Sequence, residues 1–170
     1  MPPASYSIRK LNESDDFEVL TELLHRAYRE LSEAGLNYTA SYQDSDTTRE
    51  RCSKGTCFVA ESQNALIGTI LVKPSSPDED CDTYRTLNTA SIHQFGVDHA
   101  WRGAGIGKAL HEAAAEEARE WGCESVALDT ATSAESLIAM YLVWGYEIVE
   151  EVQWPGKTYR SHIMRLQFQN

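Results

Sequence analysis

The chain has 170 residues, 42% of them hydrophobic and 24% charged, which fits one soluble globular domain spanning residues 1–170 with a core of useful size. Its 26 acidic and 15 basic residues leave a formal net charge of −11. That balance argues against nucleic-acid binding, which wants a basic face, and is compatible either with a cationic partner such as an amine or with a plain solvated acidic surface. No apolar run approaches the roughly 20 residues of a membrane span, and the start of the chain carries no hydrophobic leader core. The expectations are therefore a cytoplasmic location and no membrane partner.

In chain order, residues 7–11 read as a short first strand. Residues 18–31 read as an amphipathic helix, with Leu20, Leu23, Leu24, Ala27, Tyr28 and Leu31 on one stripe. Ser14, Asp15 and Asp16 supply a cap and negative charge at its start, and Gly35 follows as a stop signal. The polar stretch 36–51 reads as a loop leading into a second short helix near 47–54, with Tyr38 and Tyr42 on it. Its aromatic and acidic mix suits either a lid over a cationic substrate or an ordinary exposed loop. Residues 56–61 and 65–73 form a hairpin pattern turning at Gln63 and Asn64, and 74–82 is a breaker-rich loop. The four cysteines, Cys52, Cys57, Cys81 and Cys123, make no C-x-x-C pair and have no histidine at zinc-ligand spacing. Reduced thiols and no metal are expected.

Residues 89–97 read as the central strand, followed by a glycine-rich turn and a helix over 106–121. Ile106, Leu110, Ala113, Ala114, Ala118 and Trp121 are placed on that helix's inner face. Residues 125–130 are a buried strand. Residues 134–144 are hydrophobic nearly all round and read as a buried helix closed by Gly145. Residues 146–153 and 161–168 close the chain as a hairpin, with Trp154 and Tyr159 in its connection.

The turn between the central strand and its helix carries the chemistry. Gly103, Gly105 and Gly107 alternate through it, so backbone can approach a ligand closely. Their N–H groups and the positive end of the next helix make an anion site, bracketed by Arg102 and Lys108. A Walker A loop is excluded, because Arg102 stands where its first glycine belongs and Ala109 where its hydroxyl belongs. The dinucleotide fingerprint also fails, since these glycines are spaced by two throughout.

The run Arg102-Gly103-Ala104-Gly105-Ile106-Gly107 fits R/Q-x-x-G-x-G/A and resembles the acyl-CoA pyrophosphate loop of the GNAT family, the GCN5-related N-acetyltransferases. The element order agrees with that family's topology, and Tyr141-x-x-x-Gly145-Tyr146 is similar to its Y-x-x-x-G-F. The ending Tyr159-x-Ser161-x-x-Met164 is similar to the Y-x-S-x-x-M of many small members. One position departs: where many members carry a CoA-contacting Asn, this chain has Ala134, so that contact is either lost or taken over by Ser133 or Ser136.

The resemblance implies an α/β (α+β) GNAT fold, with a mixed central sheet of six to seven strands and about four helices. It implies acetyl-CoA as co-substrate, a small-molecule or peptide amine as acceptor, and homodimerisation as seen in small members. For cofactor binding it points to Phe95, Gly96 and Val97 on the strand, to residues 102–108 (Arg102, Gly103, Ala104, Gly105, Ile106, Gly107 and Lys108) on the loop, and to Ser136. The Val97 N–H is the expected oxyanion donor. Tyr141 matches the family's general acid, and phenol and thiol pKa values of about 10 and 8.5 make that transfer reasonable. His93 stands where many members place a carboxylate and is the candidate base, unless it is a satisfied structural histidine. Tyr38, Tyr42, Trp154 and Tyr159 are candidates for the acceptor site through cation–π contact or packing, with a dimer interface as the alternative place for Trp154 and Tyr159. A competing reading is a catalytically inactive GNAT-like sensor that binds acyl-CoA without turning it over.

Overall fold

A computed structural model describes residues 5–169; the first four residues of the segment read for a leader lie outside it. One mixed seven-stranded sheet organises these residues, in the order β1-β2-β3-β4-β5-β7-β6. The strands are β1 (Ser7–Lys10), β2 (Thr56–Ser62), β3 (Ala65–Lys73), β4 (Thr89–Val97), β5 (Ser125–Ala131), β6 (Glu147–Val152) and β7 (Ser161–Gln167). Only β4 and β5 run parallel; the other neighbours are antiparallel. Six α-helices complete the fold: α1 (Phe17–Ala27), α2 (Arg29–Glu33), α3 (Ser45–Cys52), α4 (Asp82–Arg85), α5 (Ile106–Glu120) and α6 (Glu135–Val143). The expected sheet is present, with two short helices more than anticipated.

Strand alternation splits the core between the two faces. Phe58, Ile70, Ile92 and Val126 meet Ile106, Leu110, Ala114 and Ala118 of α5, with Tyr141 and Tyr146 in the same cluster. Val59 and Leu71 point the other way and pack under Leu20 and Leu23 of α1. The α1 start is fixed by Asp16, whose carboxylate accepts the N–H groups of Glu18 and Val19.

Three expectations need correction. The helix read over 18–31 breaks at Tyr28, next to the Ala27 carbonyl that accepts from the Arg102 guanidinium at 2.9 Å, a contact between segments far apart in the chain. On α5, Trp121 is exposed and Ala113 half-buried, while His111 is buried against Tyr146. On α6 only Tyr141 is buried; Val143 is 85% exposed, so the helix lies on the surface. An all-apolar helix has no periodicity to reveal which side faces in.

At Gly96 β4 approaches α1 closely: a Cβ there would stand 2.7 Å from that of Ala27. Gly96→Ala should cost about 1–3 kcal/mol through overpacking. Gly107→Ala, whose Cβ would rest 3.7 Å from Val97 Cγ2, should stay close to wild type in urea unfolding.

His111 Nε2 lies 2.6 Å from the Tyr146 hydroxyl. Burial, helped by the Lys108 and Arg119 charges, pushes its pKa down from 6.5 to about 4. Between these values the unfolded chain binds the proton more readily, so stability falls as pH drops from 6.5 towards 4. The loss should reach about 3 kcal/mol. Urea unfolding across that range should show a flatter pH dependence for His111→Gln than for wild type.

Candidate active site

The β4–β5 pairing lasts only from Thr89↔Ser125 to Ser91↔Ala127. Beyond it the strands separate, and a cavity of about 1080 Å³ opens between their C-terminal halves. A register shift lies between Thr69 and Leu71 of β3 against β4, where Gln94 adopts a left-handed φ of +47°. Such a bulge bends the strand and adds twist. Asp98 N–H donates to Ile67 O at 2.8 Å, so alternation turns the Val97 N–H away from β3 and towards the gap.

At the end of β4 the chain makes a 3₁₀ turn over His99–Trp101 and enters the glycine loop. Gly105, at φ +80°, is the residue preceding α5, a conformation that side chains rarely adopt. No backbone N–H from residue 103 to 108 has a protein acceptor among the described residues, whereas Ala109 N–H closes the first helical bond, to Gly105 O. These groups sit at the positive end of α5, and the loop lines the cavity.

Most of the sequence-identified residues converge on this cavity. Phe95, Gly96 and Val97 line it from β4; Arg102, Gly103, Gly105, Ile106, Gly107 and Lys108 from the loop and α5; Ser133, Ala134 and Ser136 from the start of α6. Tyr141 and His93 reach it from opposite sides of the sheet, with Tyr38, Trp154 and Tyr159 on the wall. Ala104 and Tyr42 are outside the wall; Tyr42 is 61% exposed and takes a hydrogen bond from Lys157 Nζ at 3.3 Å. The two loop cations are also engaged by protein. Arg102 ties the loop to Ala27 O and pairs with Glu30, and Lys108 Nζ lies 5.4 Å from the Trp144 ring centre.

Burial pushes the Tyr141 phenol well above its ordinary value, with Tyr28, Tyr146, Tyr38 and Asp129 adding to the effect, so it holds its proton at neutral pH. Burial likewise drives His93 well below the ordinary imidazole range, reinforced by Lys73 and Arg51, so the ring is neutral. Its Nε2 lies 2.7 Å from Ser91 Oγ, and its ring meets Tyr84 edge-on. Tyr38 stacks on Tyr159 with ring centres 4.8 Å apart, and its hydroxyl accepts the Ala131 N–H at 2.7 Å.

Sequence reasoning missed Arg51, Tyr28, Tyr84 and Asp129, all of which line the same cavity. Asp129 accepts hydrogen bonds from the Tyr84 hydroxyl at 2.7 Å and from Trp154 Nε1 at 3.1 Å. Burial raises its pKa against those bonds. The one available signal was Asp129 inside the otherwise buried run Ser125–Ala131, since a carboxylate in a buried strand needs a reason. Arg51, at the end of a polar helix, gave none.

Among the described residues, no three His, Cys, Asp or Glu side chains cluster as a metal site, and no helix is long and apolar enough to cross a membrane. The four cysteines are free thiols.

The sequence profile of the Acetyltransferase (GNAT) family matches residues 17–146. The chain is 35% identical over 105 residues to human N-acetyltransferase 8B, a match covering 61% of this chain and 44% of that protein. It is 29% identical over 93 residues to rat N-acetyltransferase 8F1, covering 55% and 40%. The aligned region thus spans less than half the length of these curated relatives. Among solved structures, PH1933 from Pyrococcus horikoshii superposes with a TM-score of 0.76 at 18% identity, covering 98% of this chain and 100% of that one. A Salmonella typhimurium putative acetyltransferase with its cofactor acetyl-CoA gives 0.72 at 19% identity, covering 98% and 96%. With a family profile that runs through the cavity's own loop and a matching sheet, this chain belongs to the GNAT family of acetyltransferases.

Proposed function

We propose that the protein is an N-acetyltransferase that moves an acetyl group from acetyl-CoA to a primary amine of a small molecule or peptide by direct attack. The observation that carries this reading is the row of acceptor-free N–H groups over 103–108 opening into the cavity that Tyr141 also lines. Those groups fit a diphosphate, and the unpaired edge of β4 past Ser91 fits an extended amide-bearing arm. Acetyl-CoA would supply an activated acyl thioester and a thiolate leaving group.

The chain's own groups then have defined tasks. The Val97 N–H faces the gap and would donate to the developing oxyanion. The Tyr141 hydroxyl, fully protonated at neutral pH, would deliver its proton to the departing sulfur. The neutral His93 ring would take the proton that the attacking nitrogen gives up, directly or through water. Lining by Tyr38, Tyr159 and Trp154 would exclude solvent around the acceptor and hold it in line. A cytoplasmic setting accords with four free thiols. The exposed apolar face of α6, with Leu142 and Val143, is the surface a homodimer would cover.

Tyr141→Phe should lower kcat by about 10²–10⁴-fold while acetyl-CoA raises the variant's melting temperature as it does the wild type's. Thiol release and thermal shift check this together; a wild type that acetyl-CoA stabilises but that turns over no amine would favour the inactive acyl-CoA-binding reading. Gly105→Ala should cost roughly 1 kcal/mol of stability through its left-handed backbone and raise the KM for acetyl-CoA, both measurable in one preparation.

A further inference from the structure

The cavity wall holds a guanidinium and a carboxyl group that the protein does not pair with each other. Arg51 comes from the last turn of α3 and Asp129 from β5, past the point where β4 and β5 separate. Among the described residues, no carboxylate lies within 4.0 Å of the Arg51 guanidinium, and no cation lies that close to Asp129. Arg51 makes one side-chain hydrogen bond, from Nη1 to Gln43 Oε1 at 2.8 Å, leaving the rest of its donor fork for another partner. Both groups line the one cavity, at a separation longer than an ion pair.

A recessed guanidinium or carboxyl without an ionic partner is costly to keep, and such groups on a cavity wall mark a binding site. The arrangement is also built rather than accidental. Gln43 Nε2 donates to Gln94 Oε1 at 2.6 Å and to Thr48 Oγ1 at 2.8 Å, and Thr48 Oγ1 lies 2.6 Å from Thr21 Oγ1. These buried contacts hold Gln43 on the left-handed residue of the β4 bulge and aim its carbonyl oxygen at Arg51. The cation is thereby positioned from the same strand that carries Val97.

We propose that the acceptor is an amine bearing its own carboxylate, an amino-acid-type zwitterion, with the carboxylate held by Arg51 and the amine end drawn to Asp129. This rests on the acetyltransferase reading and narrows its substrate. Arg51 offers the planar fork that matches a carboxylate with two parallel bonds. Asp129, fixed by Tyr84 and Trp154, keeps acceptor capacity for an ammonium. The same two groups explain how a chain of net charge −11 can admit an anionic group: the local guanidinium, rather than the outer field, decides at the site. Gln43 is a positioning residue.

The test compares matched acceptors on one carbon skeleton: leucine, leucinamide and isopentylamine, and phenylalanine, phenylalaninamide and phenethylamine. Thiol release is followed at saturating acetyl-CoA. The free acids should show a kcat/KM roughly 10- to 100-fold above their amides and decarboxylated amines, the scale of hydrogen bonds to a charged group. Arg51→Gln should erase that advantage, mainly through acceptor KM, and leave the KM for acetyl-CoA unchanged. Arg51→Lys should keep part of the preference, and Gln43→Leu should raise acceptor KM more than it lowers kcat; thermal melts show whether each variant is folded. Equal or better turnover of the carboxylate-free amines, no turnover of either free acid, or an Arg51→Gln effect on the KM for acetyl-CoA overturns the proposal alone. Failure of acetyl-CoA both to stabilise the protein and to be turned over overturns the acetyltransferase reading, and this inference with it.

Discussion

The interaction on which this structure depends is one that stops. Parallel strands normally continue their ladder, because each unpaired inner N–H or C=O left without a partner costs free energy. Here β4 and β5 pair over three residues and then part, and the gap holds the cavity. The left-handed Gln94 and its bulge bend β4 away, while β5 stays tied to β7 from Ser125 to Ala131. Backbone groups that would have bonded strand to strand are left facing a space that a ligand can enter.

What keeps the gap from closing is packing on both faces. Under one face, α5 lays Ile106, Leu110 and Ala114 against the sheet, and its N-terminus delivers the glycine loop to the mouth of the gap. Over the other, α1 sits so close to β4 that any side chain at position 96 would have to push it away. Arg102 joins loop to helix by donating to the Ala27 carbonyl, beside the break between α1 and α2.

The chemistry inside the cavity differs from that of the surface. The chain is strongly acidic overall, yet its recessed groups are mostly neutral or held apart: Tyr141 protonated, His93 unprotonated, Arg51 and Asp129 unpaired. Burial causes the first two, because removing water penalises whichever form carries charge. Both side chains therefore present neutral, hydrogen-bonding groups to the cavity at neutral pH.

The sequence by itself determined the local code: the alternating glycines, the strand leading into them, the helix after, and Tyr141 four residues before Gly145. These are short-range signals in which each residue's type constrains its own backbone or that of a near neighbour. They were sufficient for the seven strands, for the family resemblance and for the loop that lines the cavity. Tertiary structure alone decided that helix α1 would break at Tyr28, that α6 would lie exposed, and that His111 rather than Trp121 would turn inward. It also decided that Arg51 and Asp129, 78 positions apart (129 − 51), would share one cavity. Each of those outcomes is set by contacts between distant segments, and a residue's own neighbours in the chain carry no record of what will be packed against it.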